Sequence, residues 1–112
     1  ALPVTEIRPV SAEFFDYEAK YTPGASQEIT PAEISDTLTQ KVQDAAEEVH
    51  DILGLRGWSR SDFIIDEDGP VWLEVNTVPG LTPTSLYPQA CAADGISYTD
   101  MLTLFIEEAR RR

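Results

Sequence analysis

The sequence predicts a mixed α/β chain of the α+β kind, a mainly antiparallel sheet with flanking helices. Three observations predict it. Two strand-like runs, Trp58–Asp66 and Pro70–Thr77, are separated only by Glu67-Asp68-Gly69, a connection that fits an antiparallel hairpin and is far too short for a parallel crossover. Apolar residues recur at three- and four-residue spacing between Ile34 and Leu53, and again between Met101 and Ala109, as amphipathic helices require. The 112 residues, 42% hydrophobic and 25% charged, suffice for one domain with a modest core.

Taken in order, Leu2 to Arg8 reads as a strand ended by Pro9. The opening "ALPVTEIRPV" begins directly with strand-like sequence, as a segment of a longer chain does. Ser11 to Ser26 mixes aromatics, charges, Pro23 and Gly24, and reads as a long loop. Thr30-Pro31-Ala32-Glu33 offers a capping box with proline at the first helical position. The stripe Ile34, Leu38, Val42, Ala45, Val49, Ile52 and Leu53 follows and stops at Gly54. His50 falls among the acidic residues of the opposite, solvated face. After the two strands, a Pro/Thr-rich loop leads to a short helix near Ser85–Ala93, stopped by Asp94-Gly95. A last helix over Tyr98–Arg110 is expected to bury Met101, Leu102, Phe105, Ile106 and Ala109, with arginines at its C-terminus, where the helix dipole favours cations.

Composition narrows the function classes. Twenty acidic residues against eight basic ones give a net charge of −12. That field repels nucleic acid and anionic membrane, so neither is an expected partner. Any anionic ligand therefore needs a local cation. No apolar run approaches the ~18 residues of a membrane span, no secretory leader is recognisable, and the one cysteine, Cys91, excludes an internal disulfide.

The hairpin carries the chemistry. With Glu67-Asp68-Gly69 as the turn, Asp66 pairs with Pro70, Asp62 with Glu74, and Arg60 with Asn76. Residues directly opposite share a face. Arg60, Asp62, Glu74 and Asn76 then form one polar patch, with Phe63, Ile65, Leu73 and Val75 on the apolar face. Two opposed carboxylates repel, and a divalent cation removes the repulsion. Asp, Glu and an Asn carbonyl are hard oxygen ligands suited to Mg²⁺, and Arg60 can hold a phosphate oxygen with its planar fork. The bland alternative is a solvated polar face. A calcium loop of EF-hand type fails by counting, because Gly69 at its sixth position puts Ile64 and Val75 at the first and twelfth.

The next stretch, "NTVPGLTPTSLYP", supplies groups suited to anions. Pro79-Gly80 makes a turn whose backbone N–H can approach a ligand. Ser85 is placed to cap the following helix, leaving first-turn N–H groups for a carboxylate or phosphate.

These residues, as "GWSRSDFIIDEDGPVWLEVNTVPGLTPTSLYP" with "FFDYEAKY" upstream, resemble the C-terminal half of bacterial D-alanine–D-alanine ligases. The ordered set Glu-Val-Asn-Thr-x-Pro-Gly-x-Thr with a downstream Ser-Leu-x-Pro is specific, and the similarity runs over nearly the whole chain. The resemblance implies the C-terminal part of an ATP-grasp domain over residues 1–112, with an N-terminal domain and the first half of the ATP-grasp domain lying outside this chain. It implies Asp62, Glu74 and Asn76 as ligands of Mg²⁺ or Mn²⁺, two ions in all. It implies Arg60 on the transferring phosphate and Gly80 on the developing oxyanion. Ser85 and Leu86 would hold the carboxylate of the second D-alanine, Lys20 an ATP phosphate, and Tyr21 would lie on a loop closing over the site. ATP and D-alanine are the implied substrates, peptidoglycan synthesis the implied role, a homodimer the implied assembly and the bacterial cytoplasm the implied place. Two alternatives stay open: a ligase joining D-alanine to D-lactate or D-serine, and an acidic metal- or nucleotide-binding module without catalysis.

Overall fold

The computed structural model describes residues 1–9 and 26–111. Among the described residues four strands and three helices run in the order β1 (Glu6–Pro9), β2 (Ser26–Ile29), α1 (Asp36–Ile52), β3 (Arg60–Asp66), β4 (Gly69–Asn76), α2 (Leu86–Ala93) and α3 (Tyr98–Arg110). The strands form two antiparallel pairs, β1 with β2 and β3 with β4. This is the expected α+β class. The long loop expected over Ser11–Ser26 lies almost wholly outside the described residues, and Ser26 opens β2. That short strand has no alternating apolar pattern, and its place comes from pairing Ile29 with Glu6 and Glu28 with Ile7.

The first helix starts later than its capping-box signal. Thr30 does not cap it. Its hydroxyl instead bonds Thr5 Oγ1 at 2.7 Å, the Ala32 N–H donates to the Val4 carbonyl at 2.8 Å, and the Glu33 N–H donates to Glu6 Oε1 at 3.1 Å. The stretch is spent on the start of β1. Ser35 caps α1 instead, accepting from the Leu38 N–H at 3.1 Å, with Asp36 placed favourably for the dipole in the first turn. At the other end Gly54 takes φ +66°. There the Leu55 N–H reaches the His50 carbonyl and the Gly54 N–H reaches that of Asp51, a Schellman termination. Along the stripe Val42 is buried and Leu38, Ala45 and Val49 half-buried, whereas Ile52 and Leu53 project into solvent beyond the elements that α1 packs on.

The β3–β4 turn is tighter than expected. Only Glu67 and Asp68 stand between the strands, and Asp66 pairs with Gly69 rather than Pro70. The Asp66 carboxylate accepts from the Asp68 N–H at 2.8 Å, and Gly69 closes the turn at φ +118°, where a side chain is strained. A one-residue change of register would turn the Asp62 partner from Glu74 to Leu73 or Val75. It does not, because a bulge between Asp62 and Phe63 sets Leu73 out of the ladder and pairs Phe63 with Trp72. Beyond the bulge the expected apolar face changes membership. Trp72, not Leu73, joins Phe63, Ile65 and Val75.

The core gathers between α2, α3 and the loop before β3. Met101 and Cys91 are its most enclosed side chains, at 1% and 3% exposure. The Trp58 and Phe105 rings stack at 3.7 Å with 9° between planes, and Tyr87 meets Phe105 edge-on at 5.7 Å. Burial pushes the Tyr87 phenol up to about 12 and also raises the Cys91 thiol, so both stay neutral at ordinary pH. Helix α3 has the expected bounds but a different inner face. Met101, Phe105 and Glu108 turn inward, while Leu102, Ile106 and Ala109 are exposed. The apolar arc on α3 is wider than the surface that α2 and Trp58 offer it.

That difference is testable by thermal or urea unfolding followed through Trp58. Phe105→Ala removes the stacked ring and is expected to cost about 2–4 kcal/mol. Ile106→Ser on the exposed side is expected to change stability by less than about 0.5 kcal/mol. Equal losses would return Ile106 to the core.

Candidate functional site

The bulge-corrected hairpin sets the polar patch. Arg60 lies opposite Asn76 and Asp62 opposite Glu74 in an unbroken antiparallel stretch. All four therefore share one face, the alternation of β-strands placing residues 60 and 62 on the same side. The pairing expected from the sequence is present, although by a different route: the shorter turn and the bulge each move the register by one residue, and the two shifts cancel.

Within the patch Arg60 and Asp62 hold each other. Arg60 Nε donates to Asp62 Oδ1 at 2.9 Å and Nη2 to Asp62 Oδ2 at 3.3 Å. Both side chains are largely covered, at 22% and 27% exposure, so water weakens the pair less than at an open surface. The guanidinium thus relieves part of the repulsion between Asp62 and Glu74 that the sequence leaves to a cation. Asn76 accepts from the Val78 N–H through Oδ1 at 3.0 Å, which orients its amide at the end of β4.

The donor set suits a hard divalent cation. It comprises two carboxylates and one amide oxygen on adjacent strands, with no sulfur or imidazole. Among the described residues no three His, Cys, Asp or Glu side chains converge on one point. A cation here would rest on Asp62, Glu74 and Asn76, leaving positions for water or phosphate oxygens, which is the habit of Mg²⁺. Such an ion would compete with Arg60 for an oxygen of Asp62.

From Asn76 the chain runs through buried Pro79 to Gly80, Thr82 and Ser85. Ser85 occupies the N-cap position of α2 but its hydroxyl makes no cap bond. It turns back, accepting from the Thr82 N–H at 3.1 Å and pairing with Thr82 Oγ1 at 2.6 Å. The cap expected of Ser85 is thus absent because Thr82, three residues earlier, competes for the oxygen. The first-turn N–H groups of Leu86 and Tyr87 are left without it, and Pro88 has none to satisfy. Space at Gly80 is tight: a Cβ there would lie 3.0 Å from Ser85 Oγ and would press on the hydroxyl.

His50, expected as a bystander, is half-buried, with Nδ1 2.8 Å from Ser59 Oγ. It ties the last turn of α1 to the residue before β3. Neither that bond nor the Thr82–Ser85 bond was foreseen. The Arg60–Asp62 ion pair was not foreseen either, although residues two apart on one strand share a face. Lys20 and Tyr21 lie outside the described residues.

Comparison with known proteins follows the same order of residues. The family model described as D-ala D-ala ligase C-terminus matches residues 1–107. A D-alanine–D-alanine ligase of Syntrophobacter fumaroxidans is 54% identical over 110 residues, which are 97% of this chain and 35% of that protein. One of Flavobacterium johnsoniae is 56% identical over 106 residues, 95% of this chain and 32% of that one. Among solved structures, D-alanine–D-alanine ligase from Bacillus anthracis complexed with ATP superposes with a TM-score of 0.81 at 36% identity, covering 98% of this chain and 36% of that chain. The VanG D-Ala:D-Ser ligase from Enterococcus faecalis gives 0.75 at 37% identity, covering 95% and 31%. The chain spans about a third of the length of the relatives it matches. With the hairpin, the loop, α2 and most of α3 inside the matched residues, it belongs to the D-ala D-ala ligase C-terminus family.

Proposed function

We propose that this chain forms the C-terminal part of the ATP-grasp domain of a D-alanine–D-alanine ligase. It supplies the cation-binding and acceptor-binding side of the active site, for peptidoglycan synthesis in the bacterial cytoplasm by a homodimeric enzyme. The observation that carries the reading is the pairing of Asp62 with Glu74 beside Arg60 and Asn76, in a chain of this family. Among the described residues no helix is long and apolar enough to cross a membrane.

The chemistry asked of these residues is charge management. Asp62, Glu74 and Asn76 would hold one or two divalent ions, Mg²⁺ or Mn²⁺, which when bound offset the charge of the ATP phosphates. Arg60 presents a planar fork to the phosphoryl oxygens as the carboxylate of the first D-alanine becomes an acyl phosphate. The amine of the second D-alanine then attacks the acyl carbon while the Gly80 N–H faces the developing oxyanion; the tetrahedral intermediate breaks its C–O bond to expel inorganic phosphate, and the amine nitrogen gives up a proton. Ser85 Oγ and the uncapped Leu86 N–H hold the acceptor carboxylate, at a helix start whose dipole favours it. Lys20 on an ATP phosphate and Tyr21 on a closing loop complete the reading. Alone, the 112 residues carry only one wall of such a site, and positioning of two substrates is needed for the rate.

The direct test is phosphate release from ATP in a full-length ligase containing this segment, with D-alanine, D-lactate or D-serine as acceptor. D-serine is included because one structural relative is a D-Ala:D-Ser ligase. D-alanine is expected to be preferred, and release with none of the three would refute the reading.

Two substitutions separate the roles. Glu74→Gln removes a ligand charge and is expected to weaken Mn²⁺ binding roughly tenfold or more, with a severe loss of turnover. Arg60→Lys keeps the charge but loses the fork, and kcat should fall on the order of a hundredfold with Mn²⁺ affinity retained. Near-normal turnover in either variant at ordinary Mg²⁺ removes that residue from the mechanism.

A further inference from the structure

We propose that Tyr98 is a positioning residue for the acceptor-binding loop. Its phenol holds the Leu81 carbonyl and thereby sets the direction of Ser85 Oγ beside Gly80. The proposal rests on the reading of that loop as the cradle of the second substrate's carboxylate.

The loop between β4 and α2 has left the sheet and needs other restraints. Near its start the Asn76 amide holds the Val78 N–H at 3.0 Å. Near its end Thr82 and Ser85 close on each other, the Ser85 N–H donating to the Thr82 carbonyl at 2.9 Å and the Thr82 N–H to Ser85 Oγ at 3.1 Å. The first ties the loop to the end of β4, and Gln89 of α2 adds a bond further along, its Nε2 donating to the Thr84 carbonyl at 2.9 Å. The Thr82–Ser85 bonds, which act on the Leu81–Thr82 peptide, are internal to the segment. Tyr98 OH, seventeen residues further on, donates to the Leu81 carbonyl from another element.

The position of Leu81 makes that bond consequential. Its C=O and the Thr82 N–H belong to one planar peptide unit, which turns as a single body. Tyr98 grips one end of that plane and Ser85 Oγ the other. Rotation of the plane would carry the Thr82 N–H off Ser85 and leave the hydroxyl held by Thr82 Oγ1 alone. Ser85 Oγ also sits 3.0 Å from where a Cβ on Gly80 would fall, so a moving hydroxyl disturbs the space beside the Gly80 N–H. One bond therefore bears on two groups of the site, Ser85 Oγ assigned to the acceptor carboxylate and the Gly80 N–H assigned to the oxyanion.

The other end of the tether is firm. Tyr98 is the first residue of α3, directly after Ser97, whose hydroxyl caps the Asp100 N–H at 3.1 Å. One turn on, Met101 is 1% exposed in the core. The phenol is a short rigid arm on an anchored helix start. At 40% exposure the ring adds little to the core, so loss of its hydroxyl should act on the loop rather than on global stability.

Tyr98→Phe tests this by keeping the ring. In the 112-residue chain, hydrogen exchange at the Thr82 and Ser85 amides should quicken about three- to tenfold, the equivalent of one ordinary hydrogen bond. Exchange in β3 and β4 should not change, nor the thermal midpoint. In the full-length ligase, KM for the acceptor amino acid should rise about three- to tenfold, with KM for ATP unaltered. Unchanged exchange at Thr82 and Ser85, or an unchanged acceptor KM in an active enzyme, overturns the proposal. A full-length wild type releasing no phosphate with any acceptor refutes instead the ligase reading, and with it the substrate half of this proposal, while exchange still decides the tether.

Discussion

Two carboxylates face each other across β3 and β4, and that confrontation organises the rest. Directly opposed like charges destabilise a ladder unless something offsets them. Arg60 does so by forking onto Asp62. The pairing survives only because the Leu73 bulge compensates for a two-residue turn. If the bulge were ironed out, Glu74 would swing to the other face and Asp62 would be left opposite an apolar neighbour. Loop, helix start and Arg60 all take their places from the end of that corrected ladder at Asn76.

The scaffold beneath is thin. Its enclosed core amounts to a cluster around Met101, Cys91, Ala90 and the Trp58–Phe105 stack, with Val42 of α1 on the other side. The hairpin tip is apolar and open: Ile64, Ile65, Val71, Trp72 and Leu73 each keep between 42% and 57% exposure. Strands in which both faces carry bare apolar residues are incompletely covered. The chain spans about a third of the length of its relatives.

Legibility from sequence followed the range of the forces involved. Helix α3 had its bounds written locally by Ser97 and the periodic run after it, but its inner face depends on neighbours, and Leu102, Ile106 and Ala109 looked no different from Met101 and Phe105. The start of α1 was misread because Thr30 has two possible partners, and the long-range one, Thr5, prevails. The Asp62–Glu74 pairing was reached through two errors that cancel, a turn taken one residue too long and a bulge not anticipated. Leu73 is an ordinary strand residue, and nothing local marks it as the one set aside. The Ser85 hydroxyl went to Thr82 and the His50 ring to Ser59, short-range choices between rival polar groups that spacing alone does not decide.

The claim that most depends on the corrected register is that Asp62, Glu74 and Asn76 together receive a cation. Paramagnetic broadening of the isotopically labelled 112-residue chain by Mn²⁺ measures this without any substrate. Broadening should centre on the amides of Asp62, Glu74 and Asn76. The turn acids Asp66 and Asp68, and the α1 acids Asp44, Glu47 and Glu48, should be far less affected. Broadening centred on the hairpin turn, or spread evenly over the acidic surface of a chain of charge −12, would contradict it.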